Sequence, residues 1–80
     1  MKISLNLYST SHCHLCDQAA TLLKEIQNQF EIDWLNIEIA DDDSLLERYG
    51  VKIPVLKRLD TNVEIAWPFT SSDIVALLST

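Results

Sequence analysis

The spacing of apolar residues along this chain alternates between two periods, and this alternation constrains the fold more than any other feature. Residues 2–8 alternate between apolar and polar side chains, which is typical of a β-strand. Over residues 13–29 apolar side chains then recur every three or four positions, beginning with Leu15 and continuing to Phe30, which is typical of a helix with one buried face. The sequence therefore begins as a strand followed by an amphipathic helix.

The rest of the chain continues the alternation. The pattern predicts three further strands, over residues 31–39, 51–59 and 63–67, and Pro54 interrupts the second of these near its start. Residues 41–44 cap a short helix that ends at Gly50, before the third strand, and residues 68–72 lead into a last helix. The order is βαβαββα, with a parallel βαβ first half and an antiparallel hairpin in the second. We expect an α/β fold with a four-stranded mixed sheet and helices on both faces.

Length and composition fit one domain over residues 1–80, because 48% of the residues are apolar and can supply a core. The net charge of −6 disfavours binding to nucleic acid, since phosphates would be repelled. No apolar stretch approaches the length of a membrane span, and the first seven residues do not resemble a signal peptide. We therefore expect a monomer in the cytoplasm with no membrane partner.

The motif Cys13-His14-Leu15-Cys16 lies directly after the first predicted strand and opens the first predicted helix. Unpaired amides and the helix dipole at that position favour a thiolate at Cys13. His12 and His14, when protonated, would stabilise the same charge. Cys16 lies about one turn deeper, where it is suited to attack a mixed disulfide at Cys13. Such a closely spaced pair in the reducing cytosol indicates a redox-active dithiol rather than a structural staple.

Two alternatives remain open from these residues alone. His12, Cys13, His14 and Cys16 could bind a metal, although a closed zinc site would need ligands that the chain does not have elsewhere. Alternatively, the thiols are incidental to a non-catalytic module that binds a partner protein. Residues 67–69 could form an apolar wall that would suit such a partner.

Two segments resemble glutaredoxins. Residues 7–16, Leu-Tyr-Ser-Thr-Ser-His-Cys-His-Leu-Cys, are similar to the segment in which an aromatic–hydroxyl pair ends the first strand and C-P-Y-C opens the helix. Residues 49–56, Tyr-Gly-Val-Lys-Ile-Pro-Val-Leu, are similar to the segment that carries the family's cis-proline. The resemblance covers nearly the full chain and is closest to short glutaredoxin-like proteins of bacteria. It implies a thioredoxin-like (glutaredoxin-like) fold.

The resemblance also implies an activity, that of a thiol-disulfide oxidoreductase. Cys13 would attack a protein or glutathione disulfide, and Cys16 would resolve the mixed disulfide. The peptide before Pro54 would be cis, and the backbone of Ile53 would pair with an extended thiol substrate. No bound cofactor is implied, and glutathione is a candidate reductant.

The chain departs from the glutaredoxin pattern at several positions. His14 and Leu15 replace the usual proline and tyrosine between the cysteines, and Lys52 replaces a threonine. The Gly-Gly pair that helps hold glutathione has no glycine counterpart here. Lys52 is a candidate contact for an anionic peptide, or is only solvated. Ser72 and Asp73 are candidate contacts for a carboxylate at a helix start, or simple helix caps. The substrate disulfide could therefore be that of glutathione or that of a protein.

Overall fold

The computed structural model describes residues 2–79 and confirms the predicted order of elements. The elements are β1 (Ile3–Ser9), α1 (His14–Ile26), β2 (Ile32–Glu38), α2 (Asp43–Tyr49), β3 (Val55–Arg58), β4 (Glu64–Ala66) and α3 (Ser71–Leu78). The strands form one sheet in the order β2-β1-β3-β4. β1 is parallel to β2 and antiparallel to β3, and β3 is antiparallel to β4. The mixed four-stranded sheet is thus confirmed.

Two apolar clusters lie on opposite faces of this sheet. Successive side chains of a strand point to opposite faces, so Leu7 joins one cluster and Tyr8 the other. The larger cluster contains buried residues of β1, β2 and β3 together with α1, α3 and the segment before α3. The smaller cluster joins Tyr8 and Val55 to Tyr49 of α2 and to Ile39. Helices therefore cover both faces, as predicted.

The buried stripe of α1 begins with a cysteine. The stripe has helical spacing, and its four members are at most 6% exposed: Cys16, Ala19, Leu23 and Ile26. The sequence also placed Leu15 and Phe30 on this face, but they are 42% and 39% exposed. Leu15 lies about 100° around the helix from Cys16, and Phe30 lies beyond the helix end.

α1 is shorter than the predicted 13–29. It begins at His14 because Cys13 has an extended backbone, with φ −101° and ψ 104°, and caps the helix instead. It ends at Ile26, after which the amide of Gln29 bonds the Ile26 carbonyl three residues back, at 2.9 Å. The same carbonyl also accepts from the amide of Phe30, at 3.0 Å, which is the shared bonding common at the end of a helix.

β3 begins at Val55, four residues later than predicted. The amides of Lys52 and Ile53 both donate to the carbonyl of Tyr49, at 2.8 and 3.1 Å, so the chain keeps turning after α2. Pro54 follows and has no N–H to donate to a strand. The bounds of the other three strands differ from the predicted ones by one residue at each end.

Two tyrosines connect α2 to the sheet. The rings of Tyr8 and Tyr49 stack with their centroids 4.4 Å apart. The Tyr49 hydroxyl donates a hydrogen bond to the carboxylate of Glu64 on β4. Burial, followed by this contact with Glu64, raises the pKa of Tyr49 to about 12. The hydroxyl therefore stays protonated as a donor across the neutral range.

The glycine after α2 has a steric role. Gly50 follows the last residue of α2, as predicted for a helix stop, but its φ of −51° is right-handed rather than left-handed. A Cβ at this position would lie 2.5 Å from the carbonyl oxygen of Leu46. Gly50 therefore permits the close approach of two backbone segments at the end of the helix.

Candidate active site

Three connecting segments lie at one end of the sheet. β1 leads directly into the loop before Cys13, and Val55 at the start of β3 pairs with Tyr8 near the end of β1. β4 ends beside Val55, and the Trp67 amide donates to the carbonyl of Pro54 at 3.0 Å. The cysteine loop, the proline and the segment before α3 therefore share this end of the sheet.

The two cysteines form a disulfide, with their Cα atoms 5.2 Å apart. Cys13 is the N-cap of α1, and its Sγ accepts a hydrogen bond from the amide of Cys16 at 3.2 Å. Cys13 is half-buried, whereas Cys16 is only 4% exposed. An approaching molecule would therefore meet Cys13 first, with Cys16 beneath it.

The position of Cys13 favours a negative charge on its sulfur. The first amides of a helix have no partner within the helix, and the Cys16 amide is one of them. These amides and the helix dipole stabilise an anion at the N-cap. A thiolate formed at Cys13 after reduction of the disulfide would be stabilised in this way.

The two histidines flank Cys13, and both are exposed. His12 has φ 61°, in the left-handed region that non-glycine residues rarely adopt, so the chain turns sharply before Cys13. His14 is the first residue of α1. Among residues 2–79, no three His, Cys, Asp or Glu side chains form a group that could hold a metal ion. The geometry of that part of the chain gives the metal hypothesis no support.

The Ile53–Pro54 peptide is cis, which confirms the expectation from the resemblance. Pro54 is fully buried, and Ile53 is partly buried against the smaller cluster. Lys52 is exposed in the turn before them. A second cis peptide joins Trp67 to Pro68, which the sequence analysis did not predict.

The candidate residues Ser72 and Asp73 lie in the first turn of α3. The N-cap is Thr70, whose hydroxyl accepts from the Asp73 amide at 3.3 Å. The Asp73 carboxylate accepts from the Thr70 amide at 2.8 Å, which completes a capping box. Asp73 therefore has the capping role that the sequence allowed, and Ser72 is exposed beside it.

Glu38, at the end of β2, was not singled out from the sequence. Its carboxylate accepts hydrogen bonds from the amide and hydroxyl of Ser11, both at 3.0 Å, and from the amide of Ala40 at 3.2 Å. These contacts and a hydrogen bond from the Thr10 side chain hold the pKa of Glu38 below its usual value, with the Ala40 amide having the largest effect and Thr10 the next largest. Ser11 lies 27 residues away in the chain, and no local pattern indicates such a pairing.

The match to a family model covers nearly the whole chain. Residues 4–79 match the Glutaredoxin-like domain (DUF836). A search of curated proteins finds no match. The family assignment therefore rests on this family model and on the solved structures.

The solved structures include close structural relatives. The Northeast Structural Genomics target protein XcR50 from X. campestris is 35% identical, with 94% of this chain and 95% of that chain covered and a TM-score of 0.82. Protein Ne2328 from Nitrosomonas europaea is 24% identical, with 98% and 92% covered and a TM-score of 0.83. Thioredoxin 1 from Thermosipho africanus TCF52B is 19% identical, with 95% and 90% covered and a TM-score of 0.72, which shows the shared fold alone.

The expectation of a thioredoxin-like fold is thus confirmed. The cysteine motif and the cis-proline, which suggested a family from sequence, lie at one end of that fold. The family model and the similarity to XcR50 both extend over nearly all of the chain. The chain therefore belongs to the glutaredoxin-like family.

Proposed function

We propose that the chain is a thiol-disulfide oxidoreductase that acts through Cys13 and Cys16. The observation that carries this proposal is the disulfide at the N-terminus of α1. The Cα separation of 5.2 Å lies within the usual range for disulfides, so this backbone accommodates the bond. The pair can therefore store two electrons as a dithiol and release them by forming the disulfide.

The exchange proceeds in two steps. In the reduced protein, the Cys13 thiolate attacks one sulfur of the substrate disulfide, and the substrate's sulfur–sulfur bond breaks. The first substrate thiolate leaves and takes up a proton, which leaves a mixed disulfide at Cys13. The Cys16 thiol then loses its proton and attacks the Cys13 sulfur, which releases the second substrate thiol. The substrate gains two electrons and two protons, and the protein keeps the Cys13–Cys16 disulfide.

The end of the sheet offers contacts for this substrate. We propose that an extended thiol substrate pairs with the backbone of Ile53 beside Pro54. The exposed side chain of Lys52 would contact an anionic group in the same ligand. At the start of α3, where helix amides favour negative charge, the amide and hydroxyl of Ser72 would contact a carboxylate of the ligand. Asp73 would support this contact indirectly, because its amide and carboxylate are bonded to Thr70 in the capping box.

The proposed reaction also needs a reductant. We propose that two molecules of glutathione reduce the Cys13–Cys16 disulfide and become oxidised glutathione, so that no bound cofactor takes part. The substrate is a protein or glutathione disulfide, and the protein acts as a cytoplasmic monomer. Within residues 2–79, none of the helices has the length and apolarity to cross a membrane.

The acidity of Cys13 tests this proposal. In a Cys16→Ser background, where one thiol titrates, we expect the pKa of Cys13 to lie below about 7.5. The helix amides cause this shift, and protonated His12 and His14 add to it. The pKa is obtained from the pH dependence of alkylation by iodoacetamide. A value near the ordinary one of about 8.5 would favour the non-catalytic binding module instead.

A further inference from the structure

Glu38 connects two loops at the end of the sheet that carries Cys13. One carboxylate oxygen accepts from both the amide and the hydroxyl of Ser11, each at 3.0 Å. The other oxygen accepts from the amide of Ala40 at 3.2 Å. Ser9 pairs with Glu38 across the parallel strands, so the carboxylate reaches the cysteine loop from the neighbouring strand. The loop before α1 is therefore attached to the end of β2.

A second contact restrains the beginning of the same loop. The hydroxyl of Ser9, the last residue of β1, donates a hydrogen bond to the side-chain oxygen of Asn36 on β2. Ser9 is only 4% exposed, whereas Asn36 is exposed, so the bond lies at the edge of the buried region. β2 thus holds the loop at two points, and a single residue, His12, separates Ser11 from Cys13.

The conformation of this loop determines where the Cys13 sulfur points. His12 is held at φ 61°, which costs free energy for a residue with a side chain and persists only when its surroundings impose it. Cys13 follows with the extended backbone of an N-cap, which directs its Sγ towards the Cys16 amide at 3.2 Å. If Ser11 lost its hydrogen bonds to Glu38, the backbone angles of His12 and Cys13 would relax.

We propose that Glu38 is a positioning residue for Cys13, because its hydrogen bonds to Ser11 hold the cysteine sulfur against the amides of α1. This proposal rests on the proposed role of Cys13 as the attacking thiol. Glu38 acts through the loop and not by touching the sulfur. Loss of its hydrogen bonds weakens the stabilisation of the Cys13 thiolate.

When Glu38 is replaced, the loss of its charge and the loss of its hydrogen bonds should change the pKa of Cys13 in opposite directions. A negative carboxylate near a thiolate disfavours it, so removing the charge alone would lower the pKa of Cys13. Removing the positioning contacts raises that pKa, because the sulfur loses its alignment with the helix amides. His12, His14 and Asp17, the other titratable groups nearest to Cys13 in the sequence, are the same in every variant compared.

The experiment measures the pKa of Cys13 by alkylation in the Cys16→Ser background. Glu38→Ala should raise it by about 0.5 or more, which is about a threefold change in the acid dissociation constant. Glu38→Gln loses the same charge as Glu38→Ala but keeps one oxygen that can accept from Ser11, so it should raise the pKa less than Glu38→Ala does. Glu25→Gln, at an exposed position further along α1, makes the same change in net charge and should leave the pKa unchanged.

A lower or unchanged pKa in Glu38→Ala would overturn the positioning role. If that variant does not fold, Ser11→Ala replaces it, since it removes one donor to Glu38 and keeps the backbone bond. It should raise the pKa by a smaller amount, and no change would again overturn the proposal. An ordinary pKa in the parent protein would contradict the proposed function itself, whatever the variants show. Failure of the positioning role of Glu38 and failure of the proposed function therefore give different results.

Discussion

The variant Cys13→Ser should reduce a glutathione mixed disulfide no faster than the uncatalysed background, a loss on the order of a hundredfold or more. Attack on a disulfide requires a thiolate, and a serine hydroxyl is not ionised at neutral pH. Serine has nearly the same shape and can still cap α1 at this position. The rate is measured with glutathione as reductant, alongside the wild-type protein. Retention of most of the activity would contradict the role of Cys13 as nucleophile.

The matched variant Cys16→Ser should behave differently. It keeps the more accessible sulfur, so attack on a protein disulfide still occurs, but the internal release step is lost. We expect a covalent mixed disulfide at Cys13 to accumulate and to be visible as an increase in intact mass. If adducts instead formed in Cys13→Ser and not in Cys16→Ser, the two roles would be reversed.

The variant Leu56→Ala should lower the free energy of unfolding by about 2–5 kcal/mol. Leu56 is fully buried in β3, where it pairs with Leu7 on one side and Ile65 on the other. The loss is large against the roughly 5–15 kcal/mol that stabilises a typical domain. It is measured by urea unfolding with the disulfide intact in both proteins.

The control for Leu56 is a leucine in an exposed position. Leu35 on β2 is 65% exposed, so Leu35→Ala removes the same atoms with little change in burial. Its free energy of unfolding should stay within about 0.5 kcal/mol of the wild type. Equal losses in the two variants would contradict the described position of the larger core.

The sequence predicted the order of elements and the presence of two buried faces, because both depend on local periodicity. It did not predict which apolar residues would stay exposed. Leu35 has strand spacing, but it lies on an edge strand of the sheet and remains exposed. The sequence predicted β3 to begin at residue 51, because it did not show that the amides of Lys52 and Ile53 would bond to the Tyr49 carbonyl and continue the turn after α2.

The parts of the candidate site that could be predicted are those carried by short segments of the sequence. The cysteine spacing indicated the pair, and the family resemblance indicated the cis peptide at Pro54. The bonds between Glu38 and Ser11 were not predictable, because they join the end of β2 to the loop that follows β1, 27 residues away in the chain. The spacing of apolar residues indicates which segments are strands, but it does not show which polar groups meet beyond the ends of paired strands.

In the proposed function, Cys13 and Cys16 interconvert between dithiol and disulfide. A redox titration in buffers of reduced and oxidised glutathione tests it most directly, with the bond state of the pair read by thiol labelling and intact mass. We expect one reversible two-electron transition, with a slope of about 30 mV per tenfold change in the ratio of the two forms. Thiols that stay reduced across the series, or oxidation that produces only intermolecular adducts, would contradict it.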